Sequence, residues 1–245
     1  MLAALPTRLE REPVRGIGLG GDETTAVDEA AESAILARFR DTGASIVSEE
    51  VGRIEGDGTL VVVDPIDGSL NAKRGIPFFS LSIAIAAGNR MEDVTIGYVY
   101  DFGSGEEWVA RRGEGAWLNG EPLGALRPKE RIEILSFEAT RTSLVAAHAP
   151  AFADLAYRLR VMGSLALSLC HLGAGRVDAV CSLKEARSVD IAAAQLLCRE
   201  LEIAVALFDD PRPFGEAELD LEPRSRIAAA GTPELCRQVA DALSA

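Results

Sequence analysis

The sequence is poor in the residues on which several common kinds of site depend. Only two of its 245 residues are histidine, His148 and His171, so a catalytic site built on histidine is not supported. The four cysteines form no C-x-x-C pair and no zinc-like spacing, which gives no support to a zinc site. We expect these cysteines to be reduced and buried, where they act as small hydrophobic side chains.

Long apolar runs and basic residues are also scarce. No apolar stretch approaches the roughly 20 residues that a membrane-spanning helix needs. The first residues, MLAALPTRLEREP, reach charge and proline too early for a signal peptide. With 38 acidic against 25 basic residues the net charge is −13, which repels nucleic acid and anionic membranes. We therefore expect a cytoplasmic protein without a nucleic-acid or membrane partner.

The pattern of predicted elements changes near residue 130. Before it, a capping-box spacing of Thr25 and Asp28 begins a helix at 26–40. Short strands follow at 45–47, 60–63, 79–87, 94–100 and 106–110. After it, strands at 132–137, 176–182, 202–207 and 226–230 alternate with helices at 151–158, 164–173, 189–200 and 233–244. We expect an α+β part with an antiparallel sheet at 1–130, an α/β part at 131–245, and a site between them.

The most informative segment follows the apolar strand LVVV and reads Asp64-Pro65-Ile66-Asp67-Gly68-Ser69. Two carboxylates lie three residues apart, and the proline stiffens the corner between them, so that both can face one space. The glycine lets the backbone approach a ligand closely. Hard oxygen ligands of this kind suit Mg²⁺. The alternative is a surface turn, since Asp, Pro, Gly and Ser are also turn residues.

Two further acidic residues occupy positions that suit the same site. Glu49 comes just after an apolar strand, as a carboxylate at the carboxyl edge of a sheet would. Asp190 opens a helix whose remainder is almost wholly apolar. The alternatives are a solvated strand end for Glu49 and a partner of the helix dipole for Asp190. If the substrate is an anion, a divalent cation held by such carboxylates would reverse the local charge.

Together these residues resemble the inositol monophosphatase family. That family carries an E-E pair, then D-P-[IL]-D-G-[TS], then a late D-x-A-A, and the sequence has Glu49-Glu50, residues 64–69 and residues 190–193 in the same order and spacing. Residues 71–77 (NAKRGIP) are similar to the N-A-x-R-G-I-P of archaeal-type members, which combine inositol-1-phosphatase and fructose-1,6-bisphosphatase activity. The resemblance implies a sugar-phosphatase-like α/β layered sandwich, α-β-α-β-α, and a homodimer.

The resemblance also implies a role for each matching residue. Two or three Mg²⁺ would be bound by Glu49, Asp64, the carbonyl of Ile66, Asp67 and Asp190. The catalytic residues would be Glu49, Ser69, Asp67 and Asp28. Of these, Glu49 and Ser69 would orient and deprotonate the attacking water, and Asp28 would touch a third, loosely held ion. The substrate would be bound by Asp67, Gly68, Ser69, Arg160, Gly163, Ser164, Leu165, Lys184 and Arg187.

The function that this resemblance implies is the Mg²⁺-dependent hydrolysis of a phosphate monoester on a small polyol, inositol monophosphate or fructose 1,6-bisphosphate. Two cations roughly 3.5–4 Å apart can polarise the phosphoryl oxygens and neutralise the leaving alkoxide, so no covalent nucleophile is needed. One alternative is a nucleotidase acting on 3′-phosphoadenosine 5′-phosphate, which an aromatic stacking residue near the substrate would favour. Another is a non-catalytic relative that binds an anion or a partner protein.

A glycine motif, Gly16-x-Gly18-x-x-Gly21, matches the fingerprint of dinucleotide-binding proteins. No strand is predicted before it, so the context that the fingerprint requires is missing. We expect instead a flexible loop that closes over the metal site.

Overall fold

The computed structural model describes residues 5–21, 23–56, 58–127, 129–138 and 141–244. Within them, β1 (Val14–Ile17) and β2 (Glu23–Thr25) form a hairpin. An eight-stranded sheet contains β3 (Ser45–Ser48), β4 (Gly52–Ile54), β5 (Leu60–Asp67), β6 (Ser80–Ala86), β7 (Val94–Asp101), β8 (Glu107–Arg111), β9 (Gly115–Leu118) and β10 (Glu121–Pro122). A five-stranded sheet contains β11 (Ile132–Glu138), β12 (Ala156–Arg160), β13 (Ala179–Ser182), β14 (Ala204–Leu207) and β15 (Ile227–Ala230).

Seven α-helices accompany these strands in the described part of the chain. They are α1 (Arg8–Arg11), α2 (Ala26–Phe39), α3 (Ser69–Arg74), α4 (Thr142–His148), α5 (Leu165–Gly173), α6 (Ser188–Glu200) and α7 (Pro233–Ser244). None of the described helices is both long and apolar enough to cross a bilayer.

Both large sheets mix parallel and antiparallel neighbours. The order in the first is β10-β9-β8-β7-β6-β5-β3-β4, in which β3 and β5 run parallel. The order in the second is β12-β11-β13-β15-β14, in which β11 runs parallel to both β12 and β13. Because the carboxyl ends of parallel strands meet at one edge, the residues that follow β3 and β5 lie side by side.

Strand β5 is apolar on both faces because helices cover both. Val61 and Val63 pack with partly buried side chains of α2, and Leu60 and Val62 join the cluster that contains α6. A strand buried on both faces reads as a continuous hydrophobic run, as LVVV does. Helices α5 and α6 contact both large sheets, and α7 covers the far face of the five-stranded sheet. The layers are therefore α-β-α-β-α, and the predicted fold class is confirmed.

Most predicted elements are present, but the helix predicted at 151–158 is wrong. The α-helix of this region ends at His148, a 3₁₀ turn covers Ala149–Phe152, and residues 156–160 form β12 instead. The spacing of apolar residues here suits a helix, but the segment pairs in parallel with β11 instead. This pairing supplies hydrogen-bond partners for backbone N–H and C=O groups, which a helix would otherwise have to supply. The four cysteines are free and buried, as expected. The division of the chain at residue 130 stays a prediction.

The middle helix layer depends on a close approach between α6 and β7. A side-chain carbon at Gly97 would overlap the backbone carbonyl of Ala193 in α6. We expect Gly97→Ala to lower the free energy of unfolding by about 1–3 kcal/mol, because a packed backbone cannot yield as a flexible side chain does. Urea denaturation measures this loss. Gly124→Ala is the control, since no atom lies within 4 Å of the added carbon; equal stability of the two variants would contradict the prediction.

Candidate active site

The predicted metal ligands meet in one cavity at the carboxyl edge of β3 and β5. Carboxylate oxygens of Glu49, Asp64 and Asp190 all lie within 4.8 Å of one another, although the residues are far apart in the chain. Ile66 and Asp67 line the same cavity. Its volume is about 260 Å³, slightly below the roughly 300–1,000 Å³ of typical ligand sites, which suits a small substrate.

The D-P-I-D-G-S segment (residues 64–69) turns sharply where β5 ends. Asp64 Oδ1 accepts a hydrogen bond from the amide of Ile66 at 2.9 Å, and the ladder between β5 and β6 is irregular between Asp64 and Asp67. Gly68 has φ +91°, and a side-chain carbon there would lie 3.0 Å from the carbonyl oxygen of Gly163. A residue with a side chain would be strained and crowded at this position, so glycine is required.

Asp67 connects the segment to the start of α5. Its Oδ2 accepts hydrogen bonds from Ser164 Oγ at 2.5 Å and from the Ala166 amide at 2.8 Å. The next hydroxyl, Ser69 Oγ, donates to the carbonyl of Ile66 at 2.9 Å. The two halves of the cavity are thus held together by a residue that is also a predicted metal ligand.

Burial and mutual repulsion make the carboxylates of the cavity difficult to ionise together. Burial above all, opposed in part by Arg187, raises the pKa of Glu49 to about 7. Burial likewise raises the pKa of Asp67 to about 7 against the hydrogen bond from Ser164. The pKa of Asp64 is raised well above its ordinary value by burial and then by the charges of Glu49 and Asp67. Such a cluster favours a bound cation.

One guanidinium already lies among these carboxylates. Arg187 Nη2 is 2.6 Å from Glu49 Oε1 and 3.1 Å from Asp190 Oδ1, and its Nη1 donates to the carbonyl of Gly20 at 3.0 Å. The backbone amide of Arg187 also donates to Asp190 Oδ2 at 2.8 Å, which caps α6. Arg187 therefore contacts two predicted metal ligands while it lines the substrate cavity.

The donor set fits a hard divalent cation such as Mg²⁺. All the converging groups are oxygens, and the carboxylates of Asp64 and Asp190 are buried. A single guanidinium cannot balance them, since Glu49, Asp64, Asp67 and Asp190 carry up to four negative charges. Few carboxylates and no nitrogen or sulfur ligands are what Mg²⁺ prefers. The residues that would hold it are those predicted from the sequence: Glu49, Asp64, the Ile66 carbonyl, Asp67 and Asp190.

A second group of possible ligands lies elsewhere, at Asp101, Glu106 and His171, with ligand atoms within 4.8 Å of one another. Arg176 makes two hydrogen bonds of 2.6 Å to Glu106. Asp101 accepts hydrogen bonds from the Gly103 amide and the Ser104 hydroxyl, in the turn that Asp101 begins. Both carboxylates are thus engaged within the protein.

The glycine motif (residues 16–21) packs against Glu49 and Glu50. It lies in and after β1, in a two-stranded hairpin rather than a β-α-β unit, so the dinucleotide-binding interpretation has no structural support. The amides of Leu19 and Gly20 donate to the carbonyls of Glu50 and Glu49 at 3.1 and 2.8 Å. The loop therefore lies against the acidic pair, and its predicted closing over the metal site stays a prediction.

Three predicted site residues do not line the cavity. Asp28 is buried and forms the capping box of α2, with Oδ2 bonded to Thr25 and Oδ1 buried without a hydrogen-bond partner. Ser164 is buried and donates a hydrogen bond from its hydroxyl to Asp67. Arg160 is exposed at the end of β12, where it donates to the Leu159 carbonyl. Their roles stay predictions.

The other predicted substrate-binding residues, Gly68, Ser69, Gly163, Leu165, Lys184 and Arg187, line the cavity, and Lys184 is exposed there. The sequence reasoning missed Glu138, the last residue of β11, which lines the cavity as well. An acidic residue at the end of a predicted strand was the available signal, the same one that pointed to Glu49.

Comparison with known proteins identifies the family of this chain. The model of the inositol monophosphatase family matches residues 14–244. The chain belongs to this family. It is 34% identical to the fructose-1,6-bisphosphatase/inositol-1-monophosphatase of Thermococcus kodakarensis over 93% of this chain and 86% of the relative. It is 35% identical to the Nus factor SuhB of Pasteurella multocida over 73% of this chain and 69% of the relative.

Among solved structures, the chain is similar to an inositol monophosphatase–fructose 1,6-bisphosphatase, with a TM-score of 0.86 and 27% identity over 99% of this chain and 93% of the other. The predicted family and the predicted class of enzyme, a phosphatase, are confirmed. Membership of the inositol monophosphatase family also agrees with the acidic cavity, because metal dependence is typical of the family. The roles of the individual residues stay predictions.

Proposed function

We propose that this chain is a Mg²⁺-dependent phosphatase that hydrolyses the phosphate monoester of inositol monophosphate or fructose 1,6-bisphosphate. The observation that carries the proposal is the convergence of Glu49, Asp64 and Asp190 within 4.8 Å, beside the backbone of Gly68 and Ser69. Carboxylates for a cation and backbone amides for a phosphate are the two parts that such a reaction needs.

The metal, held by the predicted carboxylates and the Ile66 carbonyl, would supply the positive charge that activates water and neutralises the phosphoryl and leaving oxygens. The chain's own groups bind the substrate and position the attacking water. The amides of Gly68 and Ser69 bind phosphate oxygens, and Lys184 attracts the anionic substrate at the cavity mouth. Ser69 orients the attacking water through its hydroxyl, and the carboxylate of Glu49 takes up the proton of that water.

The lining of the cavity favours a small polyol over a nucleotide. None of the lining residues in the described part of the chain is aromatic, and a base needs a flat partner on which to stack. The volume of about 260 Å³ also suits a single sugar or cyclitol ring. The lining of the cavity therefore does not favour the nucleotidase alternative.

Phosphate release from a substrate panel tests the proposal. The panel contains inositol 1-phosphate, fructose 1,6-bisphosphate and 3′-phosphoadenosine 5′-phosphate, each with Mg²⁺ and with a chelator. We expect release from one or both of the first two substrates, lost on chelation and restored by added Mg²⁺. No release from any substrate, or release that survives chelation, would refute the proposal.

The similarity to a Nus factor keeps a partner-binding role as a second candidate. A non-catalytic relative would have no need of an intact cation site. Calorimetric titration with Mg²⁺ separates the two candidates, since the proposed enzyme binds Mg²⁺ with measurable heat and a binding module without metals does not. We further propose, from family resemblance, a cytoplasmic homodimer with two or three Mg²⁺ in each site; size-exclusion chromatography with light scattering tests the dimer.

A further inference from the structure

We propose that Glu138 is a positioning residue that holds residues 162–165, a segment beside the D-P-I-D-G-S segment, and so sets the affinity for the phosphorylated substrate. Gly163 and Leu165 of this segment line the cavity. The proposal deepens the proposed function and rests on it. Glu138 lines the cavity although it is only 6% exposed.

Every oxygen of this carboxylate is engaged by a donor. Oε1 accepts hydrogen bonds from Ser136 Oγ at 2.8 Å and from Ser168 Oγ at 2.7 Å. Oε2 accepts from the backbone amide of Gly163 at 2.8 Å. Three donors converge on one side chain, and only a carboxylate can accept from all of them, because a glutamine presents two N–H donors in place of one oxygen.

The segment that Glu138 holds is part of the substrate wall. Gly163 and Leu165 line the cavity, and Gly163 has φ +90°. The carbonyl oxygen of Gly163 approaches Gly68 so closely that a side-chain carbon on Gly68 would be 3.0 Å away. A shift of the Gly163 amide would therefore move the wall against the amides that are proposed to bind phosphate.

Two other side chains fix the same segment from the opposite direction. Asn71 Nδ2 donates to the carbonyls of Met162 and Phe78, both at 2.8 Å, and Asp67 accepts from Ser164. Both belong to the eight-stranded half of the cavity, whereas Glu138 belongs to the five-stranded half. Glu138 thus ties residues 162–165 to the end of β11 in the second sheet through a side chain.

A direct role for Glu138 in binding phosphate is excluded by its charge. An anion beside an anion is repelled, and the negative charge of Glu138 is close enough to raise the pKa of Asp67, behind the effects of burial and of Asp190. Three of its roughly four acceptor sites are also occupied, by the two serine hydroxyls and the Gly163 amide. The hydrogen bond from the Gly163 amide points instead to the placement of the backbone.

The test compares Glu138→Gln with a matched control, Asp178→Asn. Asp178 is 9% exposed and also accepts backbone amides, from Glu133 and Ile134 at 2.9 Å each, but it does not line the cavity. We expect Glu138→Gln to raise KM roughly tenfold or more, through the loss of a buried hydrogen bond, with a smaller change in kcat and unchanged Mg²⁺ affinity. Asp178→Asn is expected to lose stability with KM unchanged.

Ser168→Ala provides a milder variant should Glu138→Gln fold poorly. It removes one of the two hydroxyl donors to Oε1 and leaves the carboxylate in place, so we expect a smaller rise in KM, a few-fold. Inorganic phosphate, titrated calorimetrically in the presence of Mg²⁺, gives a second readout that does not need turnover. Its affinity is expected to fall in parallel with the rise in KM.

Three results would overturn the inference. KM and phosphate affinity could equal those of the wild type in folded Glu138→Gln and Ser168→Ala. Asp178→Asn could raise KM as much as Glu138→Gln does, which would mark a general effect of lost stability. Glu138→Gln could instead weaken Mg²⁺ binding, which would place Glu138 with the metal ligands. Failure of the proposed function is recognised separately, because the wild-type protein would then release no phosphate.

Discussion

Arg187→Met is expected to bind Mg²⁺ more tightly than the wild-type protein and to be less stable without it. The guanidinium lies 2.6 Å from Glu49 and 3.1 Å from Asp190, and Arg187 is 7% exposed. A unit charge about 4 Å away at an effective dielectric constant near 20 contributes about 4 kcal/mol. In the wild type, Mg²⁺ must bind against repulsion from this guanidinium. In Arg187→Met the repulsion is absent, so we expect the dissociation constant for Mg²⁺ to be at least tenfold lower, a difference of about 1.4 kcal/mol.

The metal-free protein should respond in the opposite direction. Removal of one partner from a buried ion pair typically costs about 3–5 kcal/mol, because it leaves charge without compensation. Methionine preserves most of the apolar stem, so the loss reflects charge rather than packing. Calorimetric titration with Mg²⁺ and urea denaturation in the presence of a chelator measure the two effects.

Arg226→Met is the matched control for Arg187→Met. Arg226 pairs with Asp209 at 2.9 Å, is partly buried and does not line the cavity. We expect this variant to lose stability with no change in Mg²⁺ affinity. Weaker Mg²⁺ binding in Arg187→Met would contradict the prediction, and would mean that the guanidinium arranges the ligands more than it competes with the metal.

The second large effect is expected for Asp64→Asn, which should abolish activity and stabilise the metal-free protein. Asp64 is 2% exposed, and burial followed by the charges of Glu49 and Asp67 raises its pKa well above the ordinary value. Asparagine keeps the oxygen that accepts from the Ile66 amide and removes the negative charge. Relief of like-charge repulsion should add about 1–4 kcal/mol to the stability in chelator.

The same substitution removes a proposed metal ligand. We expect kcat to fall by roughly 10²–10³-fold or more, as for other losses of charge stabilisation in a transition state, and Mg²⁺ to raise the melting temperature far less than in the wild type. Phosphate-release assays and thermal denaturation with and without Mg²⁺ provide the measurements. A variant with normal turnover, or one less stable than the wild type in chelator, would be inconsistent with a cation site at Asp64.

Asp101→Asn serves as the control for the loss of a buried carboxylate. Asp101 is 4% exposed and accepts hydrogen bonds from the Gly103 amide and Ser104 Oγ, but it does not line the cavity. The side-chain amide of the introduced asparagine has only one acceptor oxygen, so one of those two donors would lose its acceptor and stability should fall. If Asp64→Asn gains stability and Asp101→Asn loses it, then the charge of Asp64 lowers the stability of the protein, as expected for a residue kept for function. The charge of Asp101 would instead contribute to stability.

Local patterns predicted a large part of the fold because they report local physics. The run LVVV predicted a buried strand, and Thr25 with Asp28 predicted the start of α2 through hydrogen bonds that the structure contains. The helix predicted at 151–158 failed because its residues pair with β11, more than 20 positions earlier in the chain. Apolar spacing within a short segment carries no information about such a partner.

The same distinction applies to the site. The sequence by itself determined that Glu49, Asp64 and Asp190 lie at the ends of apolar elements, because Glu49 and Asp64 follow apolar strands and Asp190 opens an apolar helix. Only the tertiary structure decided that Arg187 pairs with Glu49, 138 positions away, and that Glu138 receives the amide of Gly163, 25 positions away. Strand ends and helix starts are set by neighbouring residues, whereas the partner of a buried charge is set by the packing of layers that are distant in sequence.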